Sequence, residues 1–388
     1  IVGLDIGTTK ICAVVGEPSE NGGMDIVGIG TSPSTGLRKG VVVNIEQTVQ
    51  SIKRALEEAE LMAGCEIRSV YAGIAGSHIA VKGGEVSPRD IERALDAAKA
   101  VAIPLDREVI HILPQEYIVD DQRGIADPMG MAGVRLEVKV HIVTGAVTSA
   151  QNIVRSCHKS GLDVSDIVLE SLASAKAVLT EEEREIGVAL IDLGGGTCDI
   201  AIFANDSIKH TGVLALGGQN LTNDIAFGLR TPMAAAEKIK IKHGAAIAEM
   251  VRPDEYIEVP SVGGREPRRL SRQVLAEICE PRMEEILTLL DQELVRSGLK
   301  NMIGAGVVLT GGTALIQGCQ ELGEQVFNLP TRIGYPRNVG GLKDMVNSPK
   351  FATAMGLLRF GAEKEGMEQK FRIRSDGNVF NSILSRMK

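Results

Sequence analysis

Apolar and polar positions along this chain alternate in two different periods. Residues 1–5 and 11–16 are β-branched apolar runs separated by Gly7-Thr8-Thr9-Lys10, the pattern of two strands joined by a tight polar turn. Over 45–62 the period becomes helical, with Ile45, Val49, Ile52, Leu56, Ala59 and Leu61 on one face and charge on the other. A strand is predicted at 69–74. From 77 to 159 the pattern describes a self-contained α+β block: a helix over 87–101 opened by Ser87-Pro88, strands at 109–113, 117–120 and 136–144, and a helix over 149–159. A strand at 164–169 and a helix at 172–179 follow. The opening phrase then recurs, with a strand at 188–193, the turn Gly194-Gly195-Gly196-Thr197 and a strand at 198–203. Repetition on this scale pairs Asp5 with Asp192 and Gly7 with Gly194, so two related lobes are predicted. The second lobe has a helix at 234–243, a basic loop at 261–272, a long helix at 273–296, a buried strand at 304–310 and a helix at 314–322. Strands and helices in such alternation build packed α/β layers.

A length of 388 residues exceeds what one core usually serves, so several domains around a cleft are expected. The first lobe's core is assigned to 1–76, 160–186 and 350–372, with 77–159 inserted in it. The second lobe's core is assigned to 187–226 and 300–349, with 227–299 as its insertion, and 373–388 reads as a linker and the start of an amphipathic helix. Net charge is −8 with both signs interspersed, and four Tyr, seven Phe and no Trp leave few stacking platforms, which argues against a nucleic-acid partner. Apolar runs all stop short of the ~18 residues a membrane span needs. The six cysteines are scattered singly without CxxC pairs and read as reduced core residues. No basic region with an apolar signal core opens the chain, which predicts a cytoplasmic protein.

Candidate chemistry concentrates at the glycine turns. Without a Cβ, backbone amides can approach a polyphosphate, and Thr8, Thr9, Lys10 and Thr197 add donors. One such turn is commonly a turn and nothing more; two at matching points of a repeat point to phosphate. Each follows an apolar strand ending in a carboxylate, Asp5 or Asp192. Singly, either is a turn-capping Asp. Facing each other across a cleft they would repel, so a shared Mg²⁺ held through water is the better reading. Gly217-Gly218 suits approach to the phosphates and Gly311-Gly312 passage beneath a base or ribose, and for each simple chain reversal stays open. Glu237 and Lys240, three apart on a helix, are either a solvated ion pair or partners for a ribose or adenine edge. Glu170 is either the group that orients an attacking water or a helix N-terminal carboxylate. At the end of the chain Phe380, Ile383, Leu384 and Met387 share a helical face and Ser385, Arg386 and Lys388 stand off it, which suits a membrane surface or a docking helix.

Five segments, Leu4-Asp5-Ile6-Gly7-Thr8-Thr9-Lys10, Leu169-Glu170-Ser171-Leu172-Ala173-Ser174-Ala175, residues 191–200, Val308-Leu309-Thr310-Gly311-Gly312 and Thr353-Ala354-Met355-Gly356-Leu357-Leu358, resemble the ordered nucleotide-site segments of the actin, heat-shock chaperone and sugar-kinase superfamily. More narrowly, Pro114-Gln115-Glu116-Tyr117, Gly133-Val134-Arg135, Lys139-Val140-His141, residues 259–265 and Glu280-Pro281-Arg282 resemble the FtsA family of bacterial cell-division actin homologues. The resemblance implies an actin-like ATPase fold of two duplicated ribonuclease-H-like lobes with inserted subdomains, holding ATP or ADP with Mg²⁺. Asp5, Asp192 and Glu170 are the candidate catalytic residues, and because Glu170 is the only plausible base and lacks an obvious His partner, hydrolysis is expected to be slow or conditional. The resemblance implies self-association into protofilaments and the tethering of FtsZ filaments to the cytoplasmic face of the inner membrane at the division site, through the C-terminal helix. The inserted block is implied to self-associate and to meet later division proteins. The second-lobe insertion is implied to receive the acidic C-terminal peptide of FtsZ, where Arg282 is the basic residue chosen. A pilus-assembly protein or a carbohydrate kinase of the same superfamily is the alternative, the kinase requiring a sugar pocket with a further Asp as base.

Overall fold

The computed structural model describes residues 1–364 except 20–22, 39–40, 43, 68, 75–80, 83–90, 96–105, 121, 134 and 264. In the first lobe β1 (Val2–Ile6), β2 (Lys10–Pro18) and β3 (Met24–Pro33) form an antiparallel meander, with Asp5 opposite Cys12. A small hairpin of β4 (Leu37–Arg38) and β5 (Val41–Val42) precedes helix α1 (Ile45–Ala63). Asn44 caps α1 by accepting from the Gln47 amide, and Gly64 ends it in the left-handed region. β3 is absent from the sequence reading because Gly28 and Gly30 interrupt its apolar alternation. They are there for α1: a Cβ on Gly30 would lie 1.9 Å from the Ala55 carbonyl oxygen. On α1 itself Leu61 is 87% exposed, while Thr48 and Ser51 are buried in its place.

β6 (Ser69–Ile74) runs parallel to β1. The inserted block contributes β7 (Val81–Lys82), a helical stretch α2 (91–95), β8 (Arg107–Val119), β9 (Gln122–Ile125) and β10 (Leu136–Ala146), in the sheet order β7-β10-β8-β9. The remainder of the helix expected over 87–101 lies outside the described residues. β8 merges the two strands expected at 109–113 and 117–120. Proline is accommodated because the register slips there: Lys139 faces Glu116 but Val140 faces Pro114, leaving Gln115 as the extra residue of a bulge.

α3 (Val147–Lys159) buries Ala150, Ile153 and Cys157 among Val2, Leu4 and Ile11, so it packs on the first lobe's sheet and not on the block it closes in sequence. β11 (Asp163–Leu169), α4 (Glu170–Val178) and α5 (Glu181–Ile186) lead to the second lobe. There β12 (Val188–Leu193), β13 (Cys198–Ala204) and β14 (Ser207–Leu214) repeat the meander. Helices α6 (Gly218–Gly228) and α7 (Met233–His243), the hairpin β15 (Tyr256–Val259) and β16 (Arg268–Ser271), and α8 (Arg272–Arg296) form the second insertion. β17 (Val307–Thr310), α9 (Cys319–Phe327) and β18 (Thr331–Ile333) complete the lobe. The helix expected at 314–322 is a single turn at Thr313–Leu315 and then α9, separated where Gly318 takes a φ of 81°.

The sheets run β3-β2-β1-β6-β11 and β14-β13-β12-β17-β18, the same path in both lobes, three antiparallel strands followed by two parallel ones. The chain returns to the first lobe before residue 350. β19 (Val339–Gly341) pairs with β3, and α10 (Lys343–Val346) buries Val346 beside Met24 and Ile26. The last described helix, α11 (352–364), crosses α4. A Cβ on Gly356 of α11 would lie 1.7 Å from the Ala173 carbonyl oxygen of α4. Around this crossing one apolar cluster joins Cys12, Val14 and Met24 of the first lobe to Val188, Leu190 and Val308 of the second. The lobes therefore share a core beneath the cleft. Five cysteines are buried as expected; Cys65 is exposed.

Candidate functional site

Both hairpin turns close with the same hydrogen bond, Gly7 N to Lys10 O and Gly194 N to Thr197 O, each at 3.0 Å. They meet tip to tip. A Cβ on Gly195 would stand 2.3 Å from Thr9 Cγ2, and one on Gly196 would stand 2.5 Å from Thr8 Oγ1. Behind the tips opens a cleft of about 650 Å³, a size suited to a nucleotide. Its lining contains Asp5, Gly7, Thr8, Thr9, Lys10, Glu170, Asp192, Gly194, Gly195, Gly196, Thr197, Glu237, Lys240, Gly311 and Gly312, which the sequence separates by up to three hundred positions.

Two of the predicted glycines are elsewhere. Gly217 and Gly218 sit behind the second turn and brace it, with Gly218 N donating to Gly194 O at 3.0 Å and Gln219 N to Gly195 O at 2.7 Å. They are small because a Cβ on Gly217 would stand 2.8 Å from the Gly194 and Gly195 carbonyl oxygens. Lys240 and Glu237 are paired at 2.8 Å; Lys240 is only 7% exposed and also donates to Gly218 O and Thr222 Oγ1, so it braces α6 against α7, while Glu237 stays partly exposed. Gly311, at φ +87°, lies against Asp192, where a Cβ would come within 2.4 Å of Oδ1. Arg282 is remote from the cleft, and its guanidinium is already paired with Asp224 of α6 and Glu285. Phe380, Ile383, Leu384 and Met387 lie outside the described residues.

Several groups were not legible in the sequence. Asp192 Oδ2 accepts from Ser174 Oγ at 2.6 Å and from Thr353 Oγ1 at 3.2 Å, one hydroxyl from each of the crossing helices α4 and α11. Thr313 Oγ1 donates to Gly194 O. Asp199 faces Asp192 across the β12–β13 pair, and its buried Oδ1 has no hydrogen-bond partner. The signal for Asp199 was its place directly opposite Asp192 in a hairpin of known turn. Ile241, Leu315, Ile316 and Phe351 add an apolar wall.

Four carboxylates, Asp5, Glu170, Asp192 and Asp199, thus line one cleft, with Lys10 donating to Asp5 Oδ2 at 3.2 Å and to Lys350 O at 2.7 Å. Burial, followed by the charges of Asp199, Asp5 and Asp192, pushes the Glu170 carboxyl well above its ordinary range. Burial likewise raises Asp192 against the opposing hydroxyl of Ser174, and burial with the Asp192 charge raises Asp199 to about 7. For Lys10 burial opposes the charge, but Asp5 and the neighbouring acids prevail and its pKa is raised. The acids outnumber the cations, and the unpaired Asp199 oxygen suits a hydrated divalent cation. Among the described residues no three His, Cys, Asp or Glu are grouped closely enough to hold a metal ion directly.

A pH prediction follows. Because its folded pKa is raised, Asp199 binds a proton more tightly folded than unfolded, so the ligand-free protein should lose stability as pH rises from about 4 through about 7. Thermal unfolding of Asp199→Asn should show a flatter pH dependence than the parent, and parallel curves would remove Asp199 from the cluster.

A family model described as "Cell division protein FtsA" matches residues 189–356, and one described as "SHS2 domain inserted in FTSA" matches 74–144. The chain is 55% identical to the cell division protein FtsA of Pseudomonas aeruginosa, covering 100% of this chain and 96% of the relative. It is 43% identical to that of Escherichia coli K12, covering 94% and 90%. Among solved structures, the PilM–PilN type IV pilus biogenesis complex aligns with TM-score 0.64 at 17% identity, covering 92% of this chain and 96% of that one. MreB 5 of Spiroplasma citri bound to AMPPNP aligns with TM-score 0.57 at 16% identity, covering 95% and 98%. The fold is thus an actin-like α/β fold.

Proposed function

The chain belongs to the FtsA family of cell division proteins, and from that premise we propose that it binds Mg-ATP between its lobes and uses the nucleotide to assemble into filaments that hold FtsZ at the membrane. The observation that carries this reading is the meeting of two equivalent glycine turns over a cluster of buried carboxylates. The amides of Gly7–Lys10 and Gly194–Thr197 would cradle the phosphates, and Ile241, Leu315, Ile316 and Phe351 would receive the base. Asp5 and Asp192 would hold Mg²⁺ through water, and the ion would neutralise phosphate charge. MreB 5 of Spiroplasma citri, of the same fold, has been solved with AMPPNP and with ADP, which supports nucleotide as the ligand class.

Glu170 would take a proton from water, and its raised pKa suits a base only once a cation has entered the cluster. Hydrolysis is accordingly slow or conditional on assembly. The inserted block is the proposed surface for self-association and later division proteins, the region around α8 the proposed receiver of the acidic FtsZ tail, and residues 380–387 the proposed membrane contact. For Arg282 to bind that tail, the incoming carboxylates must displace Asp224 and Glu285.

Electron microscopy of the protein on lipid monolayers with ATP, with and without FtsZ, tests the whole reading. Filaments that recruit FtsZ are expected. A protein that binds ATP yet phosphorylates a sugar and neither assembles nor recruits FtsZ would establish the kinase alternative instead.

A further inference from the structure

His111 belongs to β8 of the inserted block, and the established parts of the site make no use of it. Its Nε2 accepts the backbone N–H of Leu169 at 2.9 Å, a contact that spans 58 residues. Leu169 ends β11 and is the N-cap of α4, with no side-chain cap of its own; the next residue is Glu170. The imidazole is held from the other side by Phe360 of α11, edge to face with ring centroids 6.1 Å apart. One neutral ring from the insertion thereby fixes the point where the strand under the cleft becomes the helix carrying Glu170 and Ser174.

We propose that His111 is a positioning residue for Glu170, through which the inserted block sets the geometry of the nucleotide cleft. The proposal rests on the nucleotide reading above. An Nε2 that accepts leaves the proton on Nδ1, so the imidazolium cannot make this bond. Burial lowers the His111 pKa and the Asp166 carboxylate of β11 raises it, with burial the larger effect. Asp166 is itself paired with Lys364 at 2.7 Å, while Lys176 of α4 lies 5.8 Å from the Phe360 ring centre and pairs with Glu363 of α11. Since the folded pKa is depressed below 6.5, the link is complete near neutral pH and is lost only as pH falls through the folded value.

The test uses His111→Phe, which keeps a ring against Phe360 but accepts nothing, and His111→Gln, whose amide oxygen accepts at a similar reach and does not titrate. Amide exchange at residues 168–172 and single-turnover phosphate release from bound Mg-ATP are followed from pH 5.5 to 8. In the parent, protection of these amides, taken relative to the intrinsic exchange rate at each pH, should fall and release should slow several-fold at the acid end. His111→Phe should release phosphate about tenfold more slowly at every pH, with Mg-ATP affinity within about twofold of the parent. His111→Gln should restore release near the parent's neutral value and flatten its pH profile. Parent-like exchange and release in His111→Phe, or an unchanged pH profile in His111→Gln, overturns the proposal. If Mg-ATP fails to bind the parent, the nucleotide reading falls, and amide exchange on the ligand-free protein still decides whether His111 holds this junction.

Discussion

Asp192→Asn is expected to weaken Mg-ATP binding about a hundredfold, roughly 2.8 kcal/mol at 1.4 kcal/mol per decade, while leaving the ligand-free fold at least as stable as the parent. The two effects have one cause. Asp192 is 8% exposed and shares its surroundings with Asp5 and Asp199, so its charge is unfavourable until a cation arrives. Asparagine keeps the shape and one carbonyl oxygen for Ser174 and Thr353, which preserves the tie to α4 and α11. It removes only the charge that attracts Mg²⁺. Calorimetric titration with ATP, with and without Mg²⁺, together with thermal unfolding, separates the contributions. An affinity equal to the parent's would place the metal elsewhere. A collapse in stability without ligand would mean that Asp192 serves the fold and not the cation. Asp192→Ala should lose binding as well, but it also takes the acceptor from two buried hydroxyls, so it is the less discriminating substitution.

Parts of this site that depend on local chemistry could be read from the chain, and parts that depend on register could not. The two hairpins are legible because β-branched runs flank short turns of glycine, threonine and lysine. Their repetition also carries Asp5, Asp192 and the two-lobe fold. Asp199 is the one charged residue of the apolar strand β13, and only counting the register back from the turn, Asp192 opposite Asp199, puts it beside Asp192. Gly217 and Gly218 show the same dependence on tertiary contact. Their composition suits a phosphate contact or a chain reversal equally, and the crowding of Gly217 against the Gly194 and Gly195 carbonyls and of Gly218 against Thr313 becomes visible only in the folded chain. β3 is obscured for a related reason, since its glycines answer to Ala55 and Ala59 on the next helix, α1. The segment 335–349 reads as a continuation of the second lobe because nothing local records that Val339–Gly341 pairs with β3.

Gly356→Ala is expected to destabilise the protein by roughly 3 kcal/mol or more, beyond the range of ordinary side-chain overpacking, and to weaken Mg-ATP binding with it. The added methyl would meet Ala173 O at 1.7 Å, Ala173 C at 2.2 Å and Ala173 Cα at 2.7 Å. All three are backbone atoms of α4, so no rotamer change relieves the clash and the helices must separate. α11 has no room to retreat, because β1 lies on it too: a Cβ on Gly3 would be 2.4 Å from Ala354 O. Separation of α4 from α11 moves Ser174 away from Thr353, whose hydroxyls stand 3.0 Å apart and both bond Asp192. Loss of stability and loss of affinity should therefore appear together. Gly124→Ala supplies the contrast: Gly124 takes a positive φ, 75°, which Gly356 does not, but nothing lies within 4 Å of its Cβ position, so the cost should be about 1 kcal/mol with binding unaffected. Melting curves and titrations on the two variants give the comparison. A Gly356→Ala protein that melts with the parent and binds Mg-ATP normally would show that the closeness of these helices does not set the cleft.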